Sequence, residues 1–315
     1  MTKWTPKTET VLQNGIEAMI NDEKGFVGEE AFIERRTKVF SGFLASWGDD
    51  HLRIVNNLTG GENPYRRIKC NEENEIPYKL HEYGLKKILT QRDYCNQQQP
   101  FEVEKMASMM LNSAMMLSKE YRQARALQDP TIITQNIALT APTDKYSDFQ
   151  NSKPIQNFLN AKIALNRAAG ASSNDIVAFM NYDVAQTLIR HPSLVENNKY
   201  TKSTIKGITY DDLADAMGVR KVYVGEAQYI AGNVPQNTGY QRIWGNHITF
   251  AVVPNGGFNM KKPFGYRMVL EKMPKPVLRT VKKSEPINAV KMMIAEVNGE
   301  VISNPNSAYL ITDVI

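Results

Sequence analysis

Cysteine is nearly absent: the 315 residues contain only Cys70 and Cys95. Two isolated thiols give neither metal-ligand spacing nor a disulfide framework, and a reducing compartment is their simplest setting. Histidine is almost as scarce. His51, His81, His191 and His247 are scattered, and none has the HxxxH or HExxH spacing that seats a metal on one helix. No run of eighteen apolar residues occurs, which excludes a membrane-spanning helix of the usual kind. The opening MTKWTPKTETVLQNG lacks the apolar centre of a signal peptide. Phosphate-cradling loops of the GxxxxGK[ST] or GxGxxG type are missing, as is the GxSxG elbow of a serine hydrolase. A large excess of charge is lacking too. The net +5 is too mild for a dedicated reader of nucleic-acid grooves.

What is present suffices for a packed core. Hydrophobic residues make up 42% and charged residues 23%, so the chain folds as one large domain or two modest ones. Residues 1–40 are polar, with Val11, Leu12, Ile16, Met19 and Ile20 at helical spacing. Such a segment buries little by itself and reads as an arm that needs something to lie against. In residues 41–95 turn signals crowd around Gly60-Gly61, Asn63-Pro64 and Ile76-Pro77. Tyr78, Leu80 and Glu82 there alternate with Lys79, His81 and Tyr83. Few apolar positions support these strands, so the segment predicts a hairpin-like excursion with partners elsewhere.

Residues 100–128 change period. Pro100 suits a first helical turn, and Glu102 and Glu104 suit the positive end of the helix dipole. Val103, Met106, Met110, Ala114, Leu117, Tyr121 and Ala124 recur every three or four residues, predicting one buried stripe with Lys119 on the exposed side. The cluster Met106, Met109, Met110, Met115 and Met116 fits either a gap-filling core face or a pliable binding surface.

Residues 151–254 read as an α/β block. Pro154 and Gly170 bracket one helix, and Thr209 and Gly218 cap another. DIVAFM, RKVYVGEA and HITFAVVPN are buried strands. Residues 255–315 are strand-like through FGYRMVL, VKMMIAEVNGEVI and AYLITDVI.

Four features offer themselves as chemistry. His81 and Glu82 are adjacent on a strand and therefore point to opposite faces. His191 precedes Pro192 at a helix end. Asp211, Asp212 and Asp215 open a helix, where the dipole accounts for them without a divalent ion. Glu226 follows the strand RKVYVG, the place where α/β enzymes often put a site, but no second carboxylate, base or glycine loop lies near it in sequence. A strand-exit bend is the better account. No catalytic, cofactor-binding or metal-ligating residue is assigned.

The order of elements nevertheless carries a resemblance. YKLHEYGLKKILTQRDYCN leads into the long helix, and YSDFQNSKPIQNFLNAKIAL, NDIVAFMNYDVAQTLIRHP, DLADAMGVRKVYVGEAQY and RIWGNHITFAVVPN follow, with FGYRMVL and AYLITDVI behind. Across roughly residues 65–315 this order resembles the major capsid proteins of tailed bacteriophages, the Hong Kong 97-type capsid fold; Tyr146 stands where such proteins often carry Trp.

The resemblance implies an α+β fold in four parts: an N-terminal arm (1–40), an extended β-hairpin loop (41–95), a peripheral domain (96–150 and 255–315) with a spine helix at 100–128, and an α/β axial domain (151–254). It implies a structural, non-enzymatic protein that self-assembles into pentamers and hexamers of an icosahedral phage head around double-stranded DNA. The partners it implies are further copies of the chain, a separate scaffolding protein, a portal, and DNA touched without sequence specificity. Membranes and cofactors are not among them. The location implied is the virion, assembled in the host bacterial cytoplasm. Glu226 would then stand near a symmetry axis, its charge offset by Arg242 or Lys221. Two other readings stay open: an encapsulin-type compartment that encloses protein cargo, and a soluble α/β enzyme using Glu226 or His191.

Overall fold

The computed structural model describes residues 25–47, 54, 72–95, 100–201, 208–230, 239–255, 262–284 and 287–315. Expectations for residues 1–24, most of 48–71 and residues 231–238 lie outside these. In chain order the described elements begin with a short 3-10 turn, Gly28–Ala31, and strands β1 (Phe32–Thr37), β2 (Ser41–Trp47), β3 (Glu72–Lys79) and β4 (His81–Thr90). Helices α1 (Gln91–Cys95) and α2 (Pro100–Gln128), strand β5 (Gln135–Ala138), helix α3 (Pro154–Ala169) and strand β6 (Ile176–Asn181) follow. Then come α4 (Tyr182–Arg190), α5 (Pro192–Thr201), α6 (Tyr210–Met217), β7 (Lys221–Gly225), β8 (Gln228–Tyr229) and β9 (Gln241–Arg242). The chain closes through β10 (Ile248–Val252), β11 (Gly265–Leu270), β12 (Val277–Ser284), β13 (Ile287–Ile302) and β14 (Ala308–Thr312).

Two sheets organise the molecule. The first is built on β13, sixteen residues long, with β4 along one edge and β11 followed by β12 along the other. β1 adds in parallel outside β11. Gly299 lies within β13 because a Cβ there would meet the Lys79 carbonyl oxygen at 2.5 Å, where the chain passes from β3 to β4. The second sheet runs β5-β14-β10-β6-β7. Both of its faces are covered. On one side α3, α4 and α6 supply Phe158, Leu165, Val184, Leu188, Leu213 and Met217, and on the other Leu127, Trp244 and Phe264 close over Val177 and Phe179. Every residue of β6 and β10 is therefore buried, which is why IVAFMN and ITFAV read as continuous apolar runs. Burying one such Leu or Phe side chain stabilises by about 1.5–3 kcal/mol.

The helix signals in the sequence match their elements. The long helix spans 29 residues, about 43 Å. Gly170 and Gly218 sit at φ 61° and 65° as left-handed caps. Thr209 and Asp212 form a reciprocal capping box.

Strand pairing crosses the boundaries expected from the sequence. β1, placed in the arm, and β4, placed in the extended loop, are full members of the β13 sheet. β5 and β14, placed in the peripheral unit, hydrogen-bond into the sheet of the 151–254 block. Local periodicity marks a strand but not the edge it will join. Among the described residues β2 and β3 hydrogen-bond as strands only to each other, and Phe43 is 66% exposed, but Leu44, Ile76 and Tyr78 on the other side of the ribbon pack against Met268, Leu270, Val297 and Val301 of the first sheet.

The face of α2 is a correction. Val103, Ala107, Leu111 and Met115 pack on Leu89, Leu278, Met292 and Ile294 of the sheet. Met106 and Met110 of the expected stripe are 54% and 57% exposed, and Lys119 is 4% exposed. Of the methionine cluster, Met115 and Met116 are core, whereas Met106, Met109 and Met110 are surface. Two apolar stripes run along this helix at the same period, and Lys119, Glu120 and Gln123, buried with the inner one, find partners far away in the chain.

Candidate functional site

His191 is buried and held from both ring nitrogens. Nδ1 accepts from the Ser193 backbone N–H (3.3 Å), which can only donate, so the proton resides on Nε2 and is given to Ser152 Oγ at 2.9 Å. Ser152 in turn gives its own proton to the Asp148 carbonyl, 2.5 Å away. A nucleophile–base pair requires the hydroxyl proton to point at the imidazole; here it points away. His191 caps the start of α5, and burial pushes its pKa below the usual range. His247 is similar. Its Nδ1 accepts from Asp313 N–H (3.3 Å), and burial lowers its pKa while the Asp313 carboxylate works weakly the other way.

His81 and Glu82 are exposed neighbours on β4, and the His81 ring lies 6.3 Å from that of Tyr83. Asp212 accepts from Thr209 N–H (2.9 Å), as the helix-start reading requires, while Asp211 and Asp215 are exposed. Among the described residues no three His, Cys, Asp or Glu side chains converge as a metal site.

Glu226 is exposed just past β7, and its N–H donates to the Gly25 carbonyl (3.4 Å). Gly225 before it has no room for a side chain, because the Trp244 ring lies against its Cα. Tyr210 has its pKa raised, first by burial and further by the Glu226 charge. The cations expected to offset Glu226 are engaged elsewhere. Arg242 grips Asp183 with two hydrogen bonds of 2.5 and 3.0 Å and covers the Tyr182 ring, and Lys221 lies over Tyr223, 4.6 Å from its centroid.

The structure instead gathers charge where the chain enters the fold, a cluster the sequence reading missed. The Glu120 carboxylate accepts from Val27 N–H (3.1 Å) and Trp244 Nε1–H (2.7 Å) on one oxygen and from Gly28 N–H (2.9 Å) on the other. Burial nevertheless raises its pKa. Beside it Lys119 pairs with Glu29 and Glu296, and Arg267 bridges Glu29 and Glu34, each at 2.7 Å. Arg122 reaches Glu300 (3.6 Å) and stacks on Tyr83. The only sequence signal was Lys119-Glu120 inside an apolar period, a pair that also suits a solvated face. Among the described residues the Glu120 oxygens are met by donors from the chain itself; the cluster ties residues 27–34, α2 and β13 together.

No family model and no curated protein sequence matches the chain. Solved structures do. A phage-related protein from Bordetella bronchiseptica RB50 superimposes over 97% of both chains, with a TM-score of 0.71 at 18% identity. The capsid of cyanophage P-SCSP1u covers 91% of this chain and 88% of its own, with a TM-score of 0.58 at 10% identity. A virus-like particle from Pyrococcus furiosus covers 98% of this chain and 100% of its own, with a TM-score of 0.55 at 11% identity. The chain has the fold of phage capsid proteins.

Proposed function

We propose that this chain, having the phage capsid fold, is a major capsid protein: a structural subunit without catalytic activity that self-associates into the pentamers and hexamers of an icosahedral head enclosing double-stranded DNA. The observation that carries the reading is superposition over 91% of the chain on a cyanophage capsid protein and over 97% on a phage-related protein, by a chain whose buried His191 and Glu120 serve a helix cap and an internal tie. The ribbon β2–β3 supports it, because Phe43 stands 66% exposed on its outer side and gains by being covered by another copy. In this reading the arm, extended loop, peripheral part and axial part are the four working regions, with Glu226 and the segment after it turned towards a symmetry axis. A scaffolding protein and a portal are its partners, DNA is touched through charge without sequence readout, and the location is the virion.

The test is expression of the chain followed by size-exclusion chromatography and negative-stain microscopy. Closed shells support the proposal, and a stable small oligomer under all salt conditions overturns it. The contents of purified particles decide the finer point: nuclease-protected DNA supports a phage head, and a single enclosed protein points to an encapsulin-type compartment.

A further inference from the structure

Met106, Met109, Met110 and Tyr121 form an apolar stripe on the outer side of α2, exposed by 54, 38, 57 and 39%. A side chain with a polarisable thioether adapts to whatever covers it, and three together on one helix face are a costly surface to leave in water. From the stripe, we infer that residues 9–20 of this same chain dock along it, as a cover provided in cis.

Three observations choose this occupant. The first is the exit point. Val27 and Gly28 are hydrogen-bonded to Glu120, next to Tyr121 in α2. Gly25 accepts from Glu226 N–H, and Tyr229, three residues on, meets Tyr121 edge to face at 5.5 Å. The chain before Gly25 therefore leaves at the Tyr121 end of the stripe. The second is length. From Tyr121 to Met106 the stripe runs about 22 Å. Residues 21–24 extended cover up to about 13 Å, and residues 11–20 as a helix cover about 15 Å more, so the segment reaches the far end without strain. The third is complementarity. Residues 8–23 present Val11, Leu12, Ile16, Met19 and Ile20 and carry Glu9, Glu17, Asp22 and Glu23 with no Lys or Arg. The stripe is flanked by Lys87, whose Nζ touches Met110 Sδ (3.2 Å), by Lys105, and by Arg125 over the Tyr121 ring, with Glu102 the one acid, at its far end. The inference concerns the subunit alone and holds whether or not the chain closes into a shell.

The test is cross-linking in the full chain with Cys70→Ser and Cys95→Ser as background. Ile16→Cys combined with Met106→Cys should oxidise to an intramolecular disulfide, seen in the peptide masses of monomeric protein and independent of protein concentration. Ile16→Cys with Lys86→Cys, exposed on the opposite face of β4, should not. Adding Met110→Glu should cut the cross-link yield at least tenfold while leaving the melting temperature nearly unchanged, since Met110 is outside the core. Disulfide-linked dimers in place of the monomer product would mean that a second copy's segment covers the stripe. That result, no cross-link at all, or a yield indifferent to Met110→Glu would each overturn the inference.

Discussion

Trp244 donates its indole N–H to Glu120 at 2.7 Å across 124 positions of sequence, and the same carboxylate takes the backbone N–H groups of Val27 and Gly28. One buried side chain thus joins Val27 and Gly28, the long helix and the loop that closes over Gly225. Replacing Glu120 with Gln keeps one accepting oxygen but turns an NH2 group towards Gly28 N–H. The loss of that acceptor should cost about 1–3 kcal/mol in denaturant melts at pH 8.

The same substitution has a pH signature. Because burial raises the Glu120 pKa, the folded state takes up a proton before the unfolded chain does, so this group adds stability as pH falls through its folded pKa towards the usual carboxylate value. The deficit of Glu120→Gln relative to the native chain should therefore widen between pH 8 and pH 5. A constant difference across the series would show that Glu120 stays ionised throughout.

Lys119 tests the inner face of the helix. Its ammonium neutralises Glu296, which is 2% exposed, and also pairs with Glu29. Lys119→Ala strands a buried carboxylate and should cost about 3–5 kcal/mol. Lys105→Ala, on the outer face of the same helix, should fall within about 0.5 kcal/mol. Equal effects in urea melts would mean that the helix faces the other way.

Acid should weaken the subunit through its histidines. His191 and His247 are held neutral with lowered pKa values, so below the usual histidine value near 6.5 the unfolded chain binds protons that the fold refuses. Their contribution is complete above that pH and is lost as pH falls through the folded values. His191→Gln should flatten the stability curve between pH 7 and pH 5, and an unchanged slope in parallel melts would remove His191 from the account.

The extended loop is expected to serve association and to leave the subunit fold alone. Replacing residues 48–71 with a short Gly/Ser linker keeps β2 and β3, whose Leu44, Ile76 and Tyr78 pack on the first sheet. The melting temperature should hold while closed shells fail to form in microscopy. Normal shells from this variant would count against a role for the loop in assembly.

The sequence by itself determined the elements. Pro100 and Pro154 at helix starts, Thr209 as a cap, and Gly170 and Gly218 as left-handed stops act within a few residues of themselves, so their effect is readable without the rest of the chain. The continuous apolar runs of β6 and β10 likewise announced a sheet covered on both faces. Only the tertiary structure decided which of two equally periodic stripes of α2 turns inward, because the partners of Lys119 and Glu120 (Glu296, Trp244, and the N–H groups of Val27 and Gly28) come from distant parts of the chain. It also decided that β1 and β4 flank the β13 sheet and that β14 crosses to the other one. A strand's period fixes which side chains share a face; its neighbour is chosen by long-range packing, and that choice has no local signature.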